Sequence, residues 1–188
     1  LGYKSVADLH NALMGLQVDS VAMAINNMKE GNKGTIIADQ TGIGKGRQAA
    51  AIIRWAAKAG KVPIFITVKP SLFTDMYNDL ADIGTADIAP LIVNGDEAIS
   101  GEGTTKLFAN KPSKHKDTLR SIASSGELPE DRNAVFLTYS QINTENVQRQ
   151  ALLALAGKAV FVLDESHNAG GQSSTGEYVT GLLESASG

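Results

Sequence analysis

The sequence predicts an α/β domain in three layers, with a mostly parallel central sheet between two layers of helices. Three observations carry this. The apolar runs "GTIIA", "VPIFITV", "PLIVN", "AVFLTY" and "AVFVL" have strand length and are near-continuous rather than alternating, as burial on both faces requires. Segments with helical spacing separate most of them, which is the α/β order. With 188 residues, 43% hydrophobic and 20% charged, the chain fits one domain around a single core.

"SVADLHNALMG" reads as a short helix capped by Ser5. "LQVDSVAMAINNMKEG" reads as a second, with Val18, Val21, Ala22, Ile25 and Met28 on one face and Gly31 as its stop. "GTIIA" is the first strand, leading into a glycine-rich turn. "KGRQAAAIIRWAAKAG" follows as a helix with Ala49, Ile52, Ile53 and Ala56 inward and Gly60 at its end. "VPIFITV" is a strand, "SLFTDMYNDLADIG" a helix closed by Gly84, and "PLIVN" a strand. After an interruption come the strand "AVFLTY" (134–139), the helix "TENVQRQALLALAG" and the strand "AVFVL" (159–163).

Residues 95–133 are rich in Gly, Ser, Pro and charge, with one helix expected near 113–124. Lys106, Lys111, Lys114, Lys116 and Arg120 stand there against Asp117 alone between 106 and 120. They read either as a solvated connection or as a patch touching a nucleic-acid backbone.

Bulk properties exclude several classes. A net charge of −3 argues against coating nucleic acid by bulk charge, though a local basic groove remains compatible. The absence of cysteine excludes disulfides and Cys-based zinc sites. His10, His115 and His167 lack metal-site spacing. The longest apolar runs fall far short of the ~20 residues of a membrane helix, so no membrane role is expected. No basic-then-apolar start resembling a signal peptide is read in these residues. Its start on Leu1 and its end in "SASG" read as those of a piece of something longer.

Two constellations carry chemistry. In "IIADQTGIGKGRQAAAII" a glycine turn lies between a strand and a helix start, where free backbone N–H groups and the helix dipole converge on an anion. Gly42, Gly44 and Gly46 supply curvature and Lys45 the charge. Against the consensus G-x-x-x-x-G-K-[ST], Asp39 replaces the first glycine and Gly46 the metal-binding hydroxyl, so by itself the turn reads equally as a plain strand–helix connection.

The second is "KAVFVLDESHNAGG", an apolar strand running into Asp164-Glu165-Ser166-His167. At the carboxyl edge of a parallel sheet such residues face the ligand crevice. Adjacent carboxylates there suit a divalent cation, with Asp164 positioning Mg²⁺ on nucleotide phosphates and Glu165 deprotonating the attacking water. Alone, "DESH" also reads as a helix N-cap with an acidic first turn, and His167 as a surface or hinge histidine. The two constellations in this order in one sheet favour the nucleotide site. Gln17 reads either as an ordinary helix-start residue or as an adenine reader through its paired donor and acceptor.

D-x-T-G-x-G-K-G-R at 39–47, D-E-x-H at 164–167 and "LTYSQI" at 137–142 resemble a superfamily 2 helicase-type ATPase. The "GKGR" spelling is similar to that of the strawberry notch-like group, which has bacterial and phage members. The similarity continues through "PIFITVKPSLFTDMYNDLADIG" and covers roughly 15–185.

The resemblance implies that the chain is the first of two RecA-like lobes of a P-loop NTPase. Residues 1–30 would be a helical lead-in carrying the glutamine, 34–94 the phosphate loop and following strands, 95–133 an insertion, and 134–188 the D-E-x-H strand and its helix. ATP and Mg²⁺ are the implied cofactors. Gln17 would read adenine, Lys45 with the amides of Gly42, Ile43, Gly44, Lys45 and Gly46 would hold phosphate with Thr41 and Arg47 in the same nucleotide site, Asp164 and Glu165 would serve metal and water, and His167 would couple hydrolysis to motion. Lys69, Pro70, Ser71, Thr138, Tyr139 and Ser140 would grip a nucleic-acid backbone, with DNA expected over RNA; a strand-end turn and a strand-end cap explain them equally.

No S-A-T motif follows the D-E-S-H box, and the second lobe with its completing arginines is not in the sequence, so weak binding and poor hydrolysis are expected of this piece alone. The expected setting is the cytoplasm of a bacterial or phage-infected cell, or a virion. Two other classes stay open: a nucleotide-sensing or scaffold module with little turnover, which Gly46 favours, and a small-molecule phosphotransferase, which would keep Ser or Thr at 46.

Overall fold

A computed structural model describes residues 1–31, 34–37, 44–100, 106–109, 112–169 and 174–186. Its middle layer is a four-stranded sheet of β1 (Val62–Thr67), β2 (Pro90–Ile92), β5 (Ala134–Thr138) and β6 (Ala159–Leu163), in the order β2-β5-β1-β6. All three pairings are parallel. The continuous apolar runs are explained by this, because both faces of each strand are covered.

Side-chain alternation along the strands divides the core in two. Phe65, Ile92, Phe136 and Val160 join α2 (Gly15–Gly31), α3 (Lys45–Lys58) and α4 (Ser71–Asp82) on one face. Ile64, Ile66, Leu91, Val135, Leu137 and Ala159 join α5 (Pro112–Ser125), α6 (Val147–Ala156) and α7 (Ser174–Ser185) on the other. The predicted three layers are present. In α3 the buried residues run Gln48, then Ala50 through Ala56, nearly all round the helix, as befits a helix enclosed by α2, α4 and the sheet.

Local signals hold at several ends. The short helix α1 (Val6–Ala12) starts at Ser5, whose Oγ accepts from the Asp8 N–H at 3.1 Å. Asn146 caps α6 in the same way through Arg149 N–H at 3.0 Å. α5 covers the helix expected near 113–124.

Three expectations are corrected. "GTIIA" is not a strand over its described part: residues 34–37 have no regular structure and Ile36 is 84% exposed. The segment finds no strand partner among the described residues, and unpaired N–H and C=O groups make a lone strand unstable in water. Its side-chain anchor is Thr35 Oγ1, which accepts from Asn27 Nδ2 at 3.0 Å. Second, the inward face of α2 includes Val18, Val21, Ile25 and Met28 as expected, with Gln17 and Ala24 added, but not Ala22, which is exposed. Third, residues 95–133 are not irregular before α5. β3 (Ala98–Ser100) and β4 (Lys106–Ala109) pair antiparallel with a register shift after Ile99. Phe108 stacks edge-on against Tyr77 of α4, and Thr74 Oγ1 accepts from the Ser100 N–H. Tertiary contacts therefore hold this ribbon.

Candidate functional site

A tight turn joins α3 to β1, with Lys61 N–H donating to Ala56 carbonyl at 2.9 Å. Fourteen residues of helix and six of strand both span roughly 20 Å. The start of α3 is thereby carried back toward the edge where the parallel strands end.

That start is Gly44, left-handed at φ 74° and without a side-chain cap. Its carbonyl accepts from Arg47 and Gln48 N–H. Among the described residues the amides of Lys45 and Gly46 have no acceptor, and the Lys45 side chain is exposed. Thr41, Gly42 and Ile43 lie outside the described residues, as does Asp39.

Gln17 is brought to this turn. It is 1% exposed, its Oε1 accepts from Met14 N–H at 2.9 Å, and its Nε2 donates to the Gly44 carbonyl at 3.4 Å. The first contact is the side-chain half of a capping box at the start of α2. The second links the lead-in helix to the glycine turn. A Cβ at position 44 would lie 2.5 Å from Gln17 Nε2, so sterics and backbone both demand glycine there.

Gly46 owes its identity to something else. It lies within α3, where glycine is not needed for backbone shape. A Cβ there would meet Asp79 Oδ2 at 2.1 Å and Cγ at 3.0 Å. One turn further along α4, Asp82 pairs with Arg47 at 2.9 Å across an exposed surface. Thus "GKGR" and "DLADIG" meet residue for residue: Gly46 beneath Asp79, Arg47 against Asp82. Burial, then the neighbouring Asp82, pushes the Asp79 carboxyl above its ordinary value, while Arg47 pulls it down and Asp75 pushes it up.

The second group forms at the strand ends. Thr67, the buried last residue of β1, donates its hydroxyl to Asp164 Oδ2 at 2.7 Å. Asp164 N–H donates to the Ile66 carbonyl, and Tyr139 OH to the Asp164 carbonyl, each at 2.9 Å. Burial, with the charges of Asp164 and Glu165 behind it, pushes the Tyr139 phenol above its ordinary range, which keeps it a donor. Asp164 is half-buried and held at side chain and backbone. Glu165 and His167 are exposed, with His167 Nδ1 3.4 Å from Glu165 Oε2. Among the described residues Glu165 is the one non-glycine with positive φ, at 50°. Such backbone costs of order 1 kcal/mol and concentrates where function over-determines it.

Of the residues assigned to a backbone grip, Lys69, Ser71 and Ser140 are exposed. Thr138 and Tyr139 are buried instead. Asn94 Nδ2 donates to Thr138 Oγ1 at 2.9 Å, and Thr138 N–H donates to Asn94 Oδ1 at 3.1 Å. These two side chains therefore build the strand edge rather than face a ligand. Asn94→Ala leaves the Thr138 amide buried and unpaired, and is expected to cost about 1–3 kcal/mol in urea denaturation.

Thr67, Asn94, Asp79 and Asp82 were missed in the sequence. Thr67 closes an apolar strand, and the two aspartates stand a helical turn apart in "DLADIG", but their partners are remote in the chain. No hydrogen bond or ion pair among the described residues joins the Gly44–Arg47 turn to Asp164 or Glu165. No described helix is long and apolar enough to cross a membrane.

The family described as P-loop containing NTP hydrolase pore-1 matches residues 4–182. No curated protein gives a significant match. The match spans nearly the whole chain, and the chain belongs to that family: it is a P-loop NTPase domain of the hydrolase type.

Proposed function

We propose that this P-loop NTP hydrolase domain is the ATP-binding motor lobe of a DExH-type, nucleic-acid-dependent ATPase, a helicase or translocase working on DNA in preference to RNA. The observation that carries it is the end of β6. There Asp164 is held by Thr67 and Tyr139, and Glu165 is turned out by a left-handed backbone beside His167. A binding-only module has no use for a strained, exposed carboxylate after a fixed one.

The residues fit a magnesium nucleotide. Asp164 presents a half-buried carboxylate at the crevice edge, and the uncapped start of α3 offers amides and Lys45 to phosphate. Magnesium would neutralise phosphate charge. Lys45 and the amides of the turn hold the phosphates, and Gln17, its amide engaged by Met14 and Gly44, braces the turn rather than reading adenine. In the reaction, a water oxygen bonds to the terminal phosphorus, the bridging P–O bond to the leaving diphosphate breaks, and the water proton passes to Glu165. His167, in reach of Glu165, relays the state of that carboxylate to the partner lobe. Lys69, Ser71 and Ser140 track the nucleic-acid backbone through phosphate contacts, which read no sequence. Such a motor works where ATP and nucleic acid meet, in the cytoplasm of a bacterial or phage-infected cell.

The test is ATP hydrolysis by the full-length protein with and without single- and double-stranded DNA and RNA. Turnover is expected to rise with DNA and less with RNA. Hydrolysis that no nucleic acid changes would leave the nucleotide-sensing module as the better reading. That second reading has its own support, since Arg47 is engaged by Asp82 rather than open to phosphate.

A further inference from the structure

We propose that Asp79 makes the glycine turn selective for metal-complexed over metal-free nucleotide, acting from the space that a side chain at position 46 would fill. This rests on Gly44–Arg47 being the phosphate-binding turn.

Gly46 is the second residue of α3, a position whose backbone any residue can adopt, so its identity calls for a reason other than backbone shape. The reason is the Asp79 carboxylate, 2.1 Å from where Cβ would stand. In a standard phosphate loop this position carries the hydroxyl that meets the metal. Here a carboxylate from the next helix takes the place, and a side chain at 46 would have to displace it. Among the described residues the Asp79 side-chain carboxylate accepts no hydrogen bond, and Arg47, the guanidinium whose charge reaches it, is already paired with Asp82.

The electrostatic consequence is specific. The first turn of α3 attracts phosphate through its N–H groups and Lys45. A carboxylate at its side repels the same phosphate, by an amount that for close like charges shifts equilibria about tenfold or more. A divalent cation travelling with the nucleotide turns that repulsion into attraction. Asp79 therefore penalises bare nucleotide and favours the metal complex, without having to ligate the metal directly. It is a positioning and selectivity residue, not a catalytic one.

The experiment is calorimetric titration of the protein with ADP, once in Mg²⁺ and once in EDTA, comparing the ratio of the two affinities. Asp79→Asn keeps size and removes charge. It is expected to lower the Mg²⁺/EDTA ratio about tenfold, chiefly by tightening binding in EDTA. Asp75→Asn removes the same charge from an exposed position one turn away and is expected to leave the ratio within about twofold, as screening dictates. The double variant Gly46→Ser with Asp79→Ala rebuilds the standard hydroxyl and is expected to recover metal dependence that Asp79→Ala alone lacks. An unchanged ratio in Asp79→Asn, with ADP still bound, overturns the proposal and leaves the phosphate turn standing. Absence of ADP binding by the wild-type protein in both buffers overturns the phosphate turn itself, and this inference with it.

Discussion

Glu165→Gln is expected to lower nucleotide turnover by about 10²–10⁴-fold while nucleotide affinity stays within a few-fold of wild type, the range lost when a positioned general base is removed. Glutamine keeps the length and polarity of the side chain but takes no proton from water. Asp164, which would hold the metal, keeps its contacts to Thr67 and Tyr139, so binding survives. Glu165→Gly separates chemistry from architecture more sharply. The backbone at 165 has φ 50°, a conformation that glycine adopts without strain. That variant is expected to gain about 1 kcal/mol of stability and still lose turnover. A residue retained for structure would do the reverse. Steady-state hydrolysis beside thermal denaturation of the same three proteins reads both axes. Turnover of Glu165→Gln within about tenfold of wild type would remove Glu165 as the base.

The parts of this fold legible in sequence are those whose information is local or bulk. "VPIFIT" and "AVFVL" became β1 and β6 because an unbroken apolar run suits a strand covered on both faces. Ser5 caps α1 because its hydroxyl competes for a nearby N–H. "GTIIA" is an apolar run like those strands, yet pairing is a tertiary property, and residues 34–37 find no strand partner among the described residues. The β3–β4 ribbon was hidden for the opposite reason: its strands are short, and Tyr77 and Thr74 of α4 steady them.

The site divides along the same line. Lys45, Asp164 and Glu165 stand out because a lysine after a glycine turn and carboxylates after a strand, ambiguous singly, share one use when they occur in this order in one sheet. Thr67 is separated from Asp164 by 97 positions, and nothing in its own neighbourhood marks it. In the sequence Gly46 reads as a missing metal-binding hydroxyl. The approach of Asp79 shows that a hydroxyl at that position and a carboxylate on α4 compete for the same space.

Phe136→Ala is expected to destabilise the protein by about 3–5 kcal/mol, the upper range for deleting a buried aromatic ring. Phe136 lies fully buried in β5, which pairs with β2 on one side and β1 on the other. Its ring meets Phe65 edge-on at 5.3 Å and Phe73 of α4 at 6.1 Å, so one side chain ties two strands to a helix. Neither strand nor helix can close on the void without breaking the parallel register Phe65–Phe136, so relaxation recovers little of the loss. For a domain of this size each kcal/mol moves the melting temperature by about 2–4 °C, which puts the expected fall at roughly 6–20 °C. Phe136→Leu, which keeps most of the volume, is expected to cost less than about 1.5 kcal/mol. The consequence reaches the site, because Thr138 ends the strand, Tyr139 follows it directly in a short 3-10 turn, and Tyr139 donates to the Asp164 carbonyl. Loosened β5 therefore lets go of one of the two hydroxyls that fix Asp164. Urea denaturation followed by near-ultraviolet dichroism measures the first effect, and nucleotide affinity below the transition measures the second. A loss under about 1 kcal/mol for Phe136→Ala would mean that the face shared by β1, β5 and α4 is not packed through this ring.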